Sequence, residues 1–578
     1  MKLIEFPSEL VIFSNRIDNH WKTELHAILT EKQVKSSDLT LKEWYSLLQD
    51  ILSFEGELPS TLWAMVAKLA WIQADLGFFE NNSDMINNLR EDPLFLFYYG
   101  AGIAEFLDFE KGLSLVEEGV SRLESSPEEI PALFDIAITY SLILNNSNNK
   151  ESLKTFYSKI IRIYEEEKLE TDFDYKPLIV TLGFFVSEKK SEKEEINLKE
   201  ILEIVSKSQH SLISGLIYNF LAKYEEETSY KENMDACLKQ FQAINARFRL
   251  TIAYSNYAYF HSSKANYEES SKYLMKAFNL VKEISQNRET GPGLSVYPLT
   301  QKAWIQTEQG KLNEALEVLE LALEKANDYN SIQYQVKIEF GLAYVFFLLM
   351  KYELSCNHAE KALSLIEMLP NKPIQCMYQL EYADLLTDMN KLDEAENTLN
   401  QINVKDLEGC SKVHYDYVQG KFELNRHNLG ISKQYFQNAI GSVEECSYLR
   451  PLILFTLSEE YIREYRLSED PKILEEAQDM IEEGLEKIHD VPTRTKGLIL
   501  SAILLSVQDR HEEAEEILES LISPSVEIIP HFRDLAVKLL DNIRDSRIGR
   551  VTISPITNFK DVIRYLRDAK TSIESPPR

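Results

Sequence analysis

Side chains capable of acid–base, nucleophilic or metal chemistry are numerous in this sequence, but none forms a motif that such chemistry uses. Carboxylates cluster at Glu165–Glu167, Glu225–Glu227 and Glu512–Glu516, and ten histidines are scattered along the chain. His511 precedes two glutamates, but no second histidine follows, so the zinc-protease pattern HExxH is absent. The phosphate-binding patterns GxxxxGK[ST] and GxGxxG and the nucleophile pattern GxSxG are also absent. We therefore interpret the carboxylate clusters as solvated helix surface and expect no catalytic residue, cofactor or metal site.

Composition and charge narrow the class of ligand. The chain has 578 residues, of which 44% are hydrophobic and 27% charged, and this balance permits a packed core. The net charge is -31 at pH 7, whereas nucleic-acid binding requires a basic surface. Nucleic acid is therefore not an expected partner, while a basic protein or peptide is compatible with the charge.

Three features favour a cytoplasmic protein. The five cysteines form no CxxC pair and are odd in number, which favours buried free thiols in a reducing compartment. Glu5, Pro7 and Glu9 interrupt the apolar N-terminal segment, unlike in a signal peptide. The longest apolar run, Phe340–Met350, is shorter than the roughly 20 residues that span a bilayer, so no membrane insertion is expected.

One stretch, Val296–Tyr329, shows how the elements of this chain are built. Its apolar spacing predicts two helices joined by a tight turn at Gly310, where glycine adopts a left-handed backbone at low cost. Ala303 precedes this glycine by seven residues, and Ala315 and Ala322 follow it by five and twelve. Small residues at these positions let the helices and the next pair approach closely. Such a unit cannot bury its apolar face alone, so neighbouring repeats are expected.

The spacing of these small residues resembles the signature of the tetratricopeptide (TPR) family. The corresponding positions in successive first helices are Ala258, Ala303, Ala343, Ala383 and Gly420, which lie 45, 40, 40 and 37 residues apart. The usual TPR period is about 34 residues, so these are long repeats. The resemblance implies an all-α fold, a right-handed superhelical α-solenoid of TPR-like helix pairs with a helical N-terminal cap and C-terminal capping helices.

The clarity of the repeat pattern divides the chain. Residues 1–90 are helical but irregular and are predicted to form a cap, with an aromatic surface for a partner as the alternative. Residues 91–245 carry degenerate repeats, with Gly100 and Gly112 at the small positions of the first. Residues 246–545 carry well-formed repeats and a closing helix.

Residues 546–578 form a tail that differs from the acidic body. Eight basic and four acidic residues fall within 544–578. The apolar spacing within 558–571 predicts one short amphipathic helix. This segment either caps the solenoid or docks on it through its positive charge.

The resemblance also implies a groove. In the TPR family the first helix of each pair lines the concave face, where partners bind. The residues at those positions are Tyr259, Tyr297, Trp304, Phe340, Tyr344, Phe347, Asp384, Asp388, His414, Tyr417 and Lys421. Exposed aromatic rings offer large contact area at low entropy cost, so a peptide with apolar and basic groups is the expected partner. The alternative is that longer helices bury these rings against each other.

Three functions are compatible with these observations. The first is a non-catalytic scaffold or adaptor that binds a protein or peptide in the concave groove. The second is a regulatory sensor in which the basic tail docks on the acidic solenoid and is displaced by a ligand. The third is a helical enzyme whose site no motif reveals. A deep pocket with clustered ionisable residues would favour the enzyme, and an open groove would favour the scaffold.

Overall fold

The computed structural model of this chain describes residues 4–167 and 210–547, apart from short internal gaps, together with residues 179, 182 and 183. The gaps are 54–57, 126–129, 148, 223–226, 287–290, 370–371, 405–406, 408, 444–448 and 524–528. The described residues form helices and turns and contain no strand, which confirms the predicted all-α class. None of the described helices is long and apolar enough to cross a bilayer. The helix predicted within 558–571 lies outside the described residues.

Two short 3-10 helices, Ser8–Phe13 and Ser36–Asp38, lie among the first α-helices. The described α-helices, numbered in chain order, are α1 Asn19–Glu31, α2 Leu41–Leu52, α3 Ser60–Gln73, α4 Leu76–Asn81, α5 Met85–Leu89, α6 Pro93–Phe106, α7 Phe109–Glu124, α8 Ile130–Asn146, α9 Lys150–Glu167, α10 Ser211–Leu221, α11 Glu227–Ala243, α12 Arg247–Ser263, α13 Tyr267–Ser285, α14 Pro292–Glu308, α15 Leu312–Asp328, α16 Ile332–Leu348, α17 Tyr352–Ile366, α18 Lys372–Asp388, α19 Leu392–Asn400, α20 Cys410–Asn425, α21 Leu429–Gly441, α22 Arg450–Ser468, α23 Pro471–Lys487, α24 Val491–Val507, α25 His511–Ile522 and α26 Pro530–Arg547.

From α6 onward, consecutive helices pack in pairs, and α26 closes the series. The two helices of a pair are buried differently. Every residue of α6 after Pro93 is buried, because this first helix is covered on all sides. Its partner α7 buries a single stripe, which comprises Phe109, Gly112, Val116, Gly119, Val120 and Leu123. The spacing of three and four residues along that stripe is that of an amphipathic helix facing a core.

The predicted small positions lie at close contacts between helices. Ala315 and Ala322 are fully buried, and Ala303 is 1% exposed. A Cβ atom added to Gly112 would lie 2.1 Å from the backbone nitrogen of Ala104, so the degenerate first repeat keeps the same packing rule. The helix-pair architecture predicted from these residues is therefore confirmed.

The turn within each pair places one residue in the left-handed region. Gly310 has a φ of 77°, as the sequence predicts. Other pairs place Ala265, Met350, Asn390, His427 and Asp509 at this position, with φ between 54° and 66°. This backbone costs a residue with a Cβ roughly 1–2 kcal/mol, so packing of the pair imposes the turn and glycine only relieves its strain.

The solenoid coils back on itself. Helix α14 contacts α24, and α16 contacts α26, although each partner follows five helix pairs later. Nearer the N-terminus, α3 contacts α12, and α6 contacts α14. We call the contact of α3 and α6 with α12 and α14 the N-terminal junction. The contact of α14 and α16 with α24 and α26 is the C-terminal junction.

The buried apolar residues form two clusters that meet within α14. The first extends from Leu10 to Leu294. The second extends from Val296 to Ile543 and also includes Phe109. The irregular N-terminal helices therefore share one core with the first repeats.

The cysteines differ from the expectation that all are free thiols. Cys237, Cys356 and Cys376 are buried thiols that form no disulfide. Cys410 is disulfide-bonded, which corrects the expectation for that residue.

Candidate binding surface inside the coil

The predicted groove residues are unequally accessible. Tyr259 is 42% exposed, and Asp388 is also exposed. Those that are half-buried are Tyr297, Trp304, Tyr344 and Asp384. Those buried within the chain itself are Phe340, Phe347, His414, Tyr417 and Lys421. The first two groups can still contact a ligand, whereas the third packs against neighbouring helices.

One face of α14 carries the predicted tryptophan. Tyr297, Trp304 and Glu308 share that face, because residues four and seven apart align along a helix. Trp304 forms no hydrogen bond with any described residue, and its ring is half-buried. The indole N–H of a partly exposed tryptophan can donate a hydrogen bond to a partner.

Both ends of this face are fixed by neighbouring side chains. The Tyr297 hydroxyl donates a hydrogen bond to Asn256 Oδ1. At the other end, the Ser262 hydroxyl donates to Glu308 Oε2 over 3.0 Å. Burial raises the pKa of Tyr259, and the nearby Glu308 carboxylate raises it further. Trp304 therefore lies between two anchored groups.

A second carboxylate approaches Glu308 from the next turn of the coil. Asp490 caps α24, and its Oδ1 accepts a hydrogen bond from the Thr493 backbone N–H over 2.8 Å. Burial raises the pKa of Asp490. Burial, with the negative charge of Asp490 as a smaller contribution, raises the pKa of Glu308 to about 7. Neither carboxylate forms an ion pair with a lysine or arginine in the described parts of the chain.

Three predicted residues form one cluster. Lys421 Nζ lies 3.0 Å from a carboxylate oxygen of Asp388 and also pairs with Asp384. Burial alone would lower the pKa of Lys421, but these two carboxylates raise it well above its usual value. The structure thus brings Lys421 together with both aspartates as their shared counter-ion.

Tyr344 lies among several carboxylates. Burial raises the pKa of its phenol, and the charges of Asp490, Asp388, Glu381 and Asp384 raise it further. These carboxylates come from α18 and from the start of α24, so the winding of the coil concentrates them around one ring.

Sequence reasoning missed four residues of this region. Glu308 follows Trp304 by four residues and Glu381 precedes Asp384 by three, so helical spacing could have identified both. Asp490 and His531 lie at the starts of α24 and α26, which reach this region only because the coil turns back on itself. No local sequence pattern predicts that contact. His531 Nδ1 lies 3.3 Å from the Tyr352 hydroxyl.

The charges around the inside of the C-terminal junction are mostly negative. Six carboxylates and three lysines influence the tyrosine and histidine side chains there. They are Glu308, Glu381, Asp384, Asp388, Asp490 and Asp534, with Lys421, Lys496 and Lys538. We call these residues, with Tyr259, Trp304 and Tyr344, the acidic inner surface. It can accept ammonium or guanidinium groups and can stack against flat apolar groups.

Two features of the described residues bear on the metal and enzyme alternatives. They contain no group of three or more His, Cys, Asp or Glu that could hold a metal ion. A cleft of about 710 Å³ lies between the N-terminal helices and α12–α13, with Asp75 and Arg247 in its lining and no histidine or cysteine there. The Tyr45 hydroxyl donates to Asp75 Oδ2 over 2.7 Å, and the Phe78 N–H also donates to this side chain, so Asp75 serves the fold.

The paired helices, the small-residue contacts and the coiling together define an α-solenoid of TPR-like helix pairs. No protein-family model matches the sequence, and no curated protein sequence matches it. The fold is similar to several solved structures at low identity. The Cut9–Hcn1 hetero-tetramer of the APC/C is 13% identical, with a TM-score of 0.46 over 92% of this chain and 98% of that chain. Yeast Tom70 is 12% identical, with a TM-score of 0.33 over 91% of this chain and 95% of that chain. A Rap protein complexed with competence and sporulation factor is 12% identical, with a TM-score of 0.39 over 66% of this chain and 99% of that chain.

Proposed function

We propose that this protein is a non-catalytic scaffold that binds a basic segment of a protein or peptide partner on the acidic inner surface. The observation that supports the proposal is the pair Glu308 and Asp490, which belong to α14 and to the start of α24, two helices that meet across the coil, and which form no ion pair with a described lysine or arginine. Two desolvated carboxylates are unfavourable together, and a positive charge placed between them removes that cost. A lysine or arginine of the partner supplies such a charge.

Aromatic side chains supply the second part of the recognition. Trp304 and Tyr344 are half-buried beside the carboxylates. A cation over an aromatic face gains about 0.5–2 kcal/mol, depending on how far it is desolvated. A partner segment that alternates basic and apolar residues would therefore use both kinds of group.

The test measures binding of short fluorescent peptides by anisotropy. Peptides that combine arginine or lysine with leucine or phenylalanine are compared with peptides in which acidic residues replace the basic ones. The double variant Glu308→Gln and Asp490→Asn removes both charges, and asparagine remains a good helix N-cap. We expect this variant to weaken binding of the basic peptides about tenfold, which corresponds to ~1.4 kcal/mol.

The matched control removes two carboxylates elsewhere. Glu317 on α15 and Asp393 on α19 are exposed and form no ion pair within the described residues. The variant Glu317→Gln and Asp393→Asn has the same net charge as the test variant. Equal loss of binding in both variants would show that only net charge matters and would contradict a site on the acidic inner surface.

The sequence favours a second candidate function, a regulatory sensor. Residues 548–578 carry six basic and three acidic residues, in contrast to the body of the chain. In a sensor, a ligand would compete with this part of the same chain for the acidic surface.

A further inference from the structure

We infer that residues 558–571 bind the acidic inner surface and compete there with the partner segment. This inference rests on the proposed function, because it places a segment of the same chain on the surface that is proposed to bind the partner. It makes the free protein self-inhibited, so that a partner must displace this segment before it binds.

The composition of the segment matches the surface. Lys560, Arg564, Arg567 and Lys570 follow one another at intervals of four, three and three residues. Apolar side chains alternate with them, as at Phe559, Ile563 and Leu566. These are the two kinds of group that the carboxylates and half-buried rings of the acidic inner surface can hold.

The position where the described chain ends makes this contact reachable. Helix α26 begins beside the acidic inner surface, where the His531 ring lies 5.0 Å from the Phe347 ring. Eighteen helical residues carry the chain about 27 Å from there to Arg547. Lys560 follows Arg547 by thirteen residues, and a chain of that length spans up to roughly 43–47 Å when extended. The basic residues can therefore return to the surface.

Because the segment is attached to the same chain, its binding is favoured over that of a separate peptide with the same intrinsic affinity. Because only ten residues separate Arg547 from residue 558, the segment stays close to the surface, at an effective concentration on the order of millimolar. A segment with only modest intrinsic affinity would then occupy the surface in most molecules. The expected consequence is a weaker apparent affinity for any peptide that uses the same carboxylates.

The experiment uses the full chain and a labelled synthetic peptide with the sequence of residues 556–572 as the probe. The test variant carries Lys560→Gln, Arg564→Gln, Arg567→Gln and Lys570→Gln. We expect the probe to bind this variant at least tenfold more tightly than the wild-type chain. The added substitutions Glu308→Gln and Asp490→Asn should abolish that gain.

A control variant removes four lysines from the body, so that its net charge equals that of the test variant. Lys42, Lys239, Lys282 and Lys361 are exposed and form no ion pair with a described residue. Equal tightening in the control and test variants would overturn the inference, since general charge would explain it. Failure of the probe to bind any variant would also overturn it.

Other basic peptides separate the failure of this inference from failure of the proposed function. If unrelated basic peptides bind the wild-type chain and the four tail substitutions change nothing, self-inhibition is wrong and the scaffold proposal stands. If those peptides do not bind the tail variant either, the proposed function itself is wrong. Fluorescence gives a second readout, because Trp304 is the only tryptophan after Trp71. Its emission should shift when the four tail charges are removed, and a Trp304→Phe variant identifies its share of the signal.

Discussion

Distant parts of the coil meet at two junctions, which are built from the same kind of helices but differ in how their charged side chains are paired. At the N-terminal junction, Glu105 and Arg249 form a buried ion pair. The Trp71 indole N–H donates to Glu105 over 2.7 Å, and the Arg249 guanidinium lies 5.2 Å from the centre of that indole ring. The Tyr329 hydroxyl donates to the carbonyl of Ala104. The carboxylate of Glu105 and the guanidinium of Arg249 are thus both paired and buried.

At the C-terminal junction, charges of the same sign face each other. Lys421 pairs with Asp384 and Asp388 there, but Glu308 and Asp490 form no ion pair with a described lysine or arginine, and the charge of Asp490 contributes to the raised pKa of Glu308. The His531 ring contributes two further contacts, with its Nδ1 3.3 Å from the Tyr352 hydroxyl and its centre 5.0 Å from that of the Phe347 ring. Burial lowers the pKa of His531, so this side chain tends to stay neutral and does not compensate the carboxylates.

The difference supports the proposal that the N-terminal junction serves structure and the C-terminal junction serves binding. A buried ion pair with its hydrogen bonds satisfied fixes a unique arrangement, and it offers nothing to a ligand. Buried carboxylates without a counter-ion destabilise the protein when no partner is bound. A cation that binds between them removes this destabilisation. The binding surface is therefore expected at the C-terminal junction, where the carboxylates of Glu308 and Asp490 have no described cation as partner.

The largest expected effect comes from breaking the N-terminal junction. Arg249→Ala should destabilise the protein by about 3–5 kcal/mol, because Glu105 would remain buried without its cation. Thermal and urea unfolding measure the loss, and hydrogen exchange should locate it in α3, α6 and α12. The double substitution Arg249→Met with Glu105→Met removes both charges and should recover most of the stability. A loss in Arg249→Ala as small as that of an exposed arginine would contradict the assigned role of this pair.

A second prediction uses backbone packing at the same junction. A Cβ atom added to Gly293 would lie 2.4 Å from the carbonyl oxygen of Glu105 and 2.7 Å from the Tyr329 ring. Gly293→Ala should therefore cost about 1–3 kcal/mol by overpacking. Gly430, on helix α21, has nothing within 4 Å of its added Cβ, so Gly430→Ala is the control. It should stabilise the protein by roughly 0.5–1 kcal/mol, because alanine favours a helix over glycine. Equal changes in melting temperature for the two variants would contradict close packing at Gly293.

The sequence predicted the local parts of this fold well. Ala303, Ala315 and Ala322 lie at buried contacts, and Gly310 adopts the predicted left-handed turn. These features depend on residues within one repeat, and such residues leave a pattern at fixed spacing. The use of Met350 at the same turn was not predictable, because the packing of the pair outweighs the preference of one residue.

The candidate surface was only partly predictable, because the winding of the coil assembles it. Tyr259 and Trp304 remain accessible, whereas Phe347 is buried beside His531 of the distant α26 and Tyr417 is buried beside Phe436 of its own pair. Asp490 has no neighbour in sequence that marks it as part of a site. The number of repeats in one turn of the coil decides which side chains meet, and that number depends on small angles between pairs rather than on any motif.

A third prediction concerns Trp304 at the C-terminal junction. Trp304→Ala should weaken binding of a basic peptide about tenfold, or ~1.4 kcal/mol, because the cation loses its aromatic contact. Helical content should stay unchanged in circular dichroism, because the ring is half-buried and unbonded. Trp304→Phe keeps an aromatic face and should lose less affinity. A fall in helical content in Trp304→Ala would instead assign this ring to the core.

The smallest expected effect is a dependence of stability on pH that belongs to the C-terminal junction. The pKa of Glu308 is about 7 in the folded protein, above its ordinary value of 4.5. Between these two values the folded state holds a proton that the unfolded state has lost, so this residue makes stability fall as pH rises through that interval. Asp490, whose pKa burial also raises, acts in the same direction, whereas the lowered pKa of His531 acts in the opposite direction below its ordinary value.

Glu308→Gln separates these contributions, because it retains an acceptor for the Ser262 hydroxyl and removes the charge. Between pH 5 and pH 8, the melting temperature of this variant should fall less than that of the wild type. At pH 8 the variant should be the more stable protein, by on the order of 1 kcal/mol or less, because Glu308 is partly solvated. Glu317→Gln is the control, and its pH profile should match that of the wild type. A basic peptide bound to the surface should suppress the same dependence, because its cation keeps Glu308 ionised. If the Glu308→Gln and wild-type profiles coincide without peptide, the pKa of Glu308 is not raised in the folded protein and the contrast between the junctions does not hold.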